Sequence, residues 1–112
     1  MPDSPLPEEL SPAACAEALA AGTPVLIDCR EPDEHAICRI HGAKLVPLGT
    51  WSEAFPDRFP KPDQPVIVYC HHGMRSLMAV RFLRQQGYPH AQSLAGGIAA
   101  WSRDIDPSVP RY

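Results

Sequence analysis

An unbroken run of apolar residues, Val66–Tyr69, follows Pro65 and ends at Cys70. No polar residue alternates within this run, which is typical of a central strand covered on both faces of a parallel sheet. From Arg75 to Gln86 the apolar positions recur with helical spacing, and Gly87 then supplies a helix stop signal. The pattern predicts a buried strand, a tight loop and a helix, with a cysteine at the point where the strand ends.

Shorter strands and helices are predicted on either side of this unit. The predicted strands are Val25–Asp28, Leu45–Pro47 and Ala91–Leu94, and the predicted helices are Ala13–Ala21, Glu31–Ile37, Trp51–Phe55 and Gly96–Trp101. Strands and helices alternate along the chain, which indicates an α/β fold with a mostly parallel central sheet and helices on both faces. The carboxyl ends of parallel strands share one edge, where ligands bind. We therefore expect residues 28–30, 70–75 and 96–97 to meet at that edge.

The length and composition of the chain indicate one ordinary globular domain. Its 112 residues suffice for a single core, and proline clusters predict an N-terminal arm over residues 1–10, a domain over residues 11–105 and a C-terminal tail over residues 106–112. The net charge is −3 without any basic run, so no nucleic-acid or membrane partner is expected. With no recognisable signal peptide or long apolar run, we expect a cytoplasmic protein whose four cysteines are reduced.

The position of Cys70 predicts a reactive thiolate. A loop that leads into a helix directs free backbone N–H groups and the positive end of the helix dipole at whatever lies inside it. Such surroundings lower a thiol pKa, and His71, His72 and Arg75 are placed to help. Gly73 allows the backbone to fold tightly around the anion. The alternative is an inert thiol at the end of a buried strand, where free cysteines are common.

Four motifs, in this order, resemble the rhodanese-like family of single-domain sulfurtransferases. They are Leu26-Ile27-Asp28-Cys29-Arg30-Glu31, then Gly42-Ala43 with Leu45-Val46-Pro47-Leu48, then Val68-Tyr69-Cys70-His71-His72-Gly73-Met74-Arg75-Ser76, and finally Leu94-Ala95-Gly96-Gly97-Ile98-Ala99-Ala100-Trp101. The resemblance implies a rhodanese-like fold and a thiosulfate sulfurtransferase. Two stretches depart from the family pattern: Cys29 replaces a usual aliphatic residue, and residues 38–43 replace a more usual Gly-His-Ile-x-Gly-Ala run.

The resemblance also implies roles for individual residues. Cys70 would take a sulfane sulfur from thiosulfate or a persulfide and pass it to cyanide, a thiol or a protein cysteine. The loop that binds the persulfide would be His71, His72, Gly73, Met74 and Arg75, with the Arg75 guanidinium binding an anionic donor. Supporting residues would be Asp28 as a strand-end anchor, Arg30 as a wall of the site, and Ser76. A cysteine desulfurase or another sulfur-relay protein is a possible partner, and neither a cofactor nor a metal is expected.

Three other interpretations remain open, and a fourth, a metal site, is disfavoured. Cysteine-dependent phosphatases and arsenate reductases use a Cys-x5-Arg loop, whereas this chain has Cys-x4-Arg from Cys70 to Arg75. A binding module could carry persulfide between partner proteins without turning over small molecules. His35 and His41 are interpreted as surface residues rather than metal ligands, because their spacing lacks the pairs of a zinc site. Cys29 or Cys38 could form a disulfide with Cys70 under oxidation.

Overall fold

The structure is a computed structural model that describes residues 6–112. The first part of the predicted N-terminal arm, residues 1–5, lies outside the described residues. The elements in chain order are β1 (Glu9–Leu10), α1 (Pro12–Ala21), β2 (Val25–Asp28), α2 (Pro32–Ile37), β3 (Lys44–Leu45), a 3₁₀ turn (Leu48–Thr50), α3 (Trp51–Ala54), β4 (Val66–Tyr69), α4 (Met74–Gln85), β5 (Ala91–Leu94) and α5 (Gly97–Asp104). No helix among these residues is long and apolar enough to cross a membrane.

The five strands form one sheet in the order β1-β5-β4-β2-β3, and every pair in it is parallel. The predicted central strand, β4, lies in the middle with all four residues buried. One core cluster packs β4 against α4 and Trp51, and a second packs the opposite face against α1 and α5. The predicted parallel α/β sheet with helices on both faces is therefore confirmed.

Helix signals in the sequence coincide with the observed helix ends. Ser11 caps α1, because its hydroxyl accepts a hydrogen bond from the Ala14 N–H at 3.1 Å, and Pro12 follows as the first helical residue. Gly22 ends the helix in the left-handed region, with φ of 76°. At the other end of the chain, α5 continues three residues beyond the predicted end at Trp101.

Two short strands differ from the sequence prediction. Glu9 and Leu10 lie in the predicted N-terminal arm, but they pair in parallel with the edge of β5. The predicted strand Leu45–Pro47 is observed two residues shorter at its end and one residue earlier, as Lys44–Leu45. Val46 still donates its N–H to the Asp28 carbonyl at 2.9 Å, but Pro47 has no N–H with which to extend the ladder.

Candidate active site

Cys70 lies where β4 ends and the chain turns into α4. Gly73 precedes the helix with φ of 106°, a conformation that favours glycine, and its N–H donates to the Cys70 Sγ at 3.1 Å. The Ser76 N–H, in the first turn of α4, lies 3.4 Å from the same sulfur. The predicted strand, loop and helix therefore direct backbone N–H groups at the sulfur.

Two buried hydroxyls extend this arrangement into the core. The Ser76 Oγ lies 3.4 Å from the Cys70 Sγ and 2.7 Å from the Ser93 Oγ. Both serines have no exposed surface. Ser76 was expected at the site from the resemblance, whereas Ser93 was not, because nothing in the sequence distinguishes a serine on β5 from an ordinary core residue.

The surroundings of Cys70 favour its thiolate form. The neighbouring Cys29 thiol, followed by the hydrogen bonds from the Ser76 hydroxyl and the Ser76 and Gly73 amides, lowers the pKa of Cys70 to about 4 despite the opposing effect of burial. The same contact, together with burial, raises the pKa of Cys29. At neutral pH the pair is therefore a Cys70 thiolate beside a neutral Cys29 thiol.

The lowered pKa of Cys70 predicts that its thiolate persists well below neutral pH. The thiolate absorbance near 240 nm assigned to Cys70, obtained by subtracting a Cys70→Ser spectrum, is expected to stay constant from neutral pH down to about pH 5. It should then fall with a midpoint near pH 4, because protons bind the thiolate as the pH drops below its pKa. Circular dichroism at each pH checks that the chain remains folded. A midpoint near the ordinary thiol value, above about pH 8, would contradict this prediction.

Arg75 lies in the first turn of α4 and forms an ion pair with Glu34 of α2. Its two terminal nitrogens donate to the two Glu34 carboxylate oxygens at 2.8 and 3.0 Å. These hydrogen bonds lower the pKa of Glu34 to about 2, so the carboxylate is charged at neutral pH. The Arg75 side chain is 38% exposed, which leaves it within reach of solutes. Glu34 was not among the predicted site residues, because on the sequence it belongs to a helix start.

The two histidines of the loop stack on each other and on Tyr112. The rings of His71 and His72 are 3.9 Å apart, and the ring of Tyr112 lies at the same distance from His71, tilted by only 9°. Burial, followed by the charge of His72, lowers the pKa of His71. His71 is therefore mostly neutral at neutral pH and does not supply the positive charge that the sequence suggested for it.

Met74 points away from the loop. It is the first residue of α4 and is 73% exposed, and Met78, one helical turn later, is 62% exposed. Neither methionine belongs to a core cluster among the described residues. The loop residue Met74 thus forms part of the surface beside Cys70.

Asp28 and Arg30 form a buried ion pair at the end of β2. The Asp28 carboxylate accepts hydrogen bonds from the Arg30 Nε at 2.9 Å and Nη2 at 2.7 Å, and from the Tyr69 hydroxyl at 3.1 Å. Burial would raise the pKa of Asp28, but the hydrogen bonds from Arg30 and His35 lower it overall. Arg30 has no exposed surface, so the structure places it inside the protein and not on a wall open to ligands.

His35 also differs from its predicted surface position. Its Nδ1 lies 2.8 Å from the Asp28 Oδ2, and only 16% of its side chain is exposed. His41 is exposed, as the sequence suggested. Within residues 6–112, no three His, Cys, Asp or Glu side chains are grouped closely enough to hold a metal ion.

The start of α5, which lies in the third predicted stretch, is hydrogen-bonded to the loop that begins at Cys70. The N–H groups of Ile98 and Ala99 donate to the carbonyls of Cys70 and His71 at 2.9 and 3.1 Å. A Cβ on Gly97 would overlap the His71 carbonyl, so only glycine permits this close approach. The three stretches predicted to meet at the sheet edge are therefore brought together around Cys70.

A pocket of about 150 Å³ lies beside the loop, on the side of α5. Its walls come from the two loop histidines, from α5 and from the C-terminal segment: His71, His72, Ile98, Ala99, Ser102, Pro110, Arg111 and Tyr112. Cys70 does not line this pocket and is itself only 1% exposed. Any group that reaches the sulfur must therefore be small.

Comparison with known proteins gives consistent matches. The Rhodanese-like domain family matches residues 11–104. Thiosulfate sulfurtransferase GlpE of Actinobacillus succinogenes is 33% identical over 93% of this chain and 92% of its own length. Adenylyltransferase and sulfurtransferase MOCS3 of Drosophila ananassae is 35% identical over 79% of this chain.

The matched region is a whole protein in some relatives and a small part of others. The chain spans less than a third of the length of several curated relatives, 21% in the case of MOCS3. Among solved structures, the human single-domain sulfurtransferase TSTD1 superposes with a TM-score of 0.82 at 27% identity, covering 88% of this chain and 98% of that one. The fold and the matched family agree, and the chain belongs to the Rhodanese-like domain family.

Proposed function

We propose that this protein is a thiosulfate sulfurtransferase that works through a Cys70 persulfide. The observation that carries the proposal is the set of donors around a single sulfur: two backbone N–H groups and one hydroxyl lie within 3.4 Å of the Cys70 Sγ. These groups stabilise an anionic sulfur nucleophile at neutral pH.

The chemistry consists of two half-reactions. The Cys70 thiolate attacks the outer sulfur of thiosulfate, the S–S bond of thiosulfate breaks, and sulfite leaves with the bonding electron pair. The acceptor, for example cyanide, then attacks the outer sulfur of the persulfide and leaves as thiocyanate while the Cys70 thiolate is restored. Ping-pong kinetics are expected, because the enzyme holds the sulfur between the two steps.

The enclosure of Cys70 favours sulfur transfer over phosphate chemistry. With the residue 1% exposed, one sulfane atom needs far less room beside it than a phosphate with its several oxygens. The loop from Cys70 to Arg75 is also one residue shorter than the Cys-x5-Arg loop of cysteine-dependent phosphatases. We therefore rank a cysteine-dependent phosphatase or arsenate reductase below the sulfurtransferase.

Arg75 is proposed to bind the anionic group of thiosulfate at the rim of the site. Arg75→Ala is expected to raise the KM for thiosulfate by about 10-fold or more, the effect of losing a hydrogen bond to a charged group. An alkyl persulfide without an oxyanion group should be affected much less. Steady-state kinetics with both donors measure the difference.

Glu34→Gln provides the matched control for Arg75. This variant keeps the arginine but removes its anionic partner, so thiosulfate should bind at least as well as in the wild type. Equal losses with both donors in Arg75→Ala would contradict the anion-binding role and leave Arg75 as a support for α2 against α4.

The acceptor is proposed to be a thiol or a protein cysteine, and the donor could equally be a cysteine desulfurase or another sulfur-relay protein. The relative MOCS3 is named as both an adenylyltransferase and a sulfurtransferase, and this chain matches 21% of its length. The exposed Met74 and Met78 beside the loop are well suited to contact a protein surface, because methionine adapts to irregular apolar partners.

We place this reaction in the cytoplasm, where the four free cysteines would stay reduced.

The same observation on the methionines supports a second candidate, a relay module that carries persulfide between partner proteins. The two candidates differ in kinetics and not in residues. A relay module would turn over thiosulfate and cyanide poorly but accept sulfur rapidly from a cysteine desulfurase.

The first experiment is intact-protein mass spectrometry after brief incubation with thiosulfate. At the earliest time points, the expected result is a protein population with one extra sulfur atom, removed by cyanide and absent in Cys70→Ser. If no sulfur loads from thiosulfate or from a persulfide donor protein, the sulfurtransferase proposal is wrong.

A further inference from the structure

Cys29 and Cys70 end neighbouring strands at the same level of the sheet. β2 and β4 pair with Asp28 opposite Tyr69, and the Cys29 N–H continues the ladder by donating to the Tyr69 carbonyl at 3.1 Å. The next position in this register places Cys29 beside Cys70. Neighbouring strands lie about 4.8 Å apart, which is within the roughly 4.4–6.8 Å Cα separation of disulfides.

The two thiols also point to the same face of the sheet. Side chains alternate between faces along a strand. Ile27, Cys29, Val68 and Cys70 all belong to one core cluster, whereas Tyr69 belongs to the cluster on the opposite face. Both cysteines are 1% exposed, so the two thiols lie together beneath the surface. The remaining cysteines, Cys15 and Cys38, pack in the opposite cluster.

We propose that Cys29 is a resolving thiol that converts the Cys70 persulfide into a Cys29–Cys70 disulfide and releases hydrosulfide. This inference rests on the proposed function, which supplies the persulfide. It adds a second activity to the site: reduction of sulfane sulfur to sulfide when no acceptor takes it.

The step balances without an external oxidant. The Cys29 proton passes to the outer sulfur of the persulfide, and the Cys29 sulfur attacks the inner sulfur, which is the Cys70 Sγ. The bond between the Cys70 Sγ and the outer sulfur breaks, and hydrosulfide leaves with the electron pair. The two cysteine sulfurs are oxidised to a disulfide, and the sulfane sulfur is reduced to sulfide.

Cys29 and Cys70 do not react with each other until Cys70 carries an added sulfur. The neutral Cys29 thiol is a weak nucleophile beside the Cys70 thiolate, and its raised pKa reflects that contact. Sulfur loading at Cys70 supplies an electrophilic sulfur next to Cys29. A small dithiol can then reduce the disulfide and return the enzyme to its starting state, so that thiosulfate and a dithiol give sulfite, hydrosulfide and the oxidised dithiol.

The test uses the reduced, desalted protein with a small excess of thiosulfate and no acceptor. The extra sulfur on wild type is expected to be transient. As the incubation continues, wild type should end two hydrogen atoms lighter than the reduced protein, yield a Cys29–Cys70 linked peptide in a non-reducing digest, and release one equivalent of hydrosulfide that an alkylating probe traps. Cys29→Ser, which retains a hydrogen-bond donor beside Cys70, should instead keep one extra sulfur and release no hydrosulfide. Cys15→Ala serves as the matched control and should behave like the wild type.

The outcomes separate this inference from the function on which it rests. If wild type keeps its extra sulfur as long as Cys29→Ser does, with no linked peptide, the resolving role is overturned while the sulfurtransferase stands. If neither protein loads sulfur from thiosulfate or from an alkyl persulfide, both proposals are overturned. The linked peptide is read from the wild type, so the result does not depend on how well a variant folds.

Discussion

Replacing Cys70 with serine is expected to reduce thiosulfate-dependent thiocyanate formation to the uncatalysed rate, a loss of at least about 10³-fold. A serine hydroxyl is not ionised at neutral pH and forms no persulfide, so both half-reactions are lost together. Cyanide, thiosulfate and enzyme are mixed, and thiocyanate is measured colorimetrically. The structural effect should be small, since a serine oxygen can still accept hydrogen bonds from the Gly73 and Ser76 amides.

Two comparisons make this result specific to the site. Cys15→Ala removes a buried cysteine of the opposite core cluster and should keep nearly full activity. Circular dichroism and the thermal midpoint of Cys70→Ser establish that the variant is folded. If folded Cys70→Ser retains more than about a tenth of the activity, the nucleophile is another residue and the proposed mechanism is wrong.

The unit around Cys70 was predictable because its signals are local. A run of four buried strand residues, a glycine that adopts φ of 106° and a helix with apolar spacing lie within 20 residues of one another. Each local preference agrees with the final structure, which is the condition under which sequence patterns are most informative. The position of Cys70 between β4 and α4 followed directly from that order of elements.

The strand β1 was not predictable from the same kind of signal. Glu9 and Leu10 are two residues without alternation, and the strand residues that they pair with, Ser93 and Leu94 of β5, lie more than 80 residues away in the chain. A strand this short at an edge is stabilised by its partner and not by its own propensity. The sequence therefore presents it as part of an extended arm.

The contacts that surround the site also join residues that lie far apart in the chain. Arg75 and Glu34 are 41 residues apart, and Arg30 and Tyr112 are 82 residues apart. On the sequence Glu34 fits a capping position, and its carboxylate does accept the Glu31 N–H at 3.0 Å. Its second role towards Arg75 appears only when α2 and α4 are packed. The loop from Cys70 to Ser76 could be identified on the sequence, whereas Glu34 and the pairing of distant residues required the folded chain.

The largest effect on stability is expected from breaking the buried ion pair between Asp28 and Arg30. Asp28→Leu should lower the free energy of unfolding by about 3–5 kcal/mol, because it leaves the Arg30 guanidinium charged and buried without its partner. Both side chains have 0% exposure, so water cannot replace the lost hydrogen bonds. Urea denaturation followed by circular dichroism measures the change.

The matched double variant separates the ion pair from the packing at this position. Arg30→Met alone should also destabilise strongly, since it leaves the Asp28 carboxylate buried without a cationic arginine partner, with the backbone N–H of residue 30, Tyr69 and His35 as its remaining contacts. Asp28→Leu combined with Arg30→Met removes both charges and should recover most of the loss, because replacing a whole buried pair by apolar groups is often nearly neutral. If the two single losses simply add in the double variant, the pair does not act as a unit. Recovery would show that the two buried charges compensate each other, as expected of a structural anchor at the end of β2.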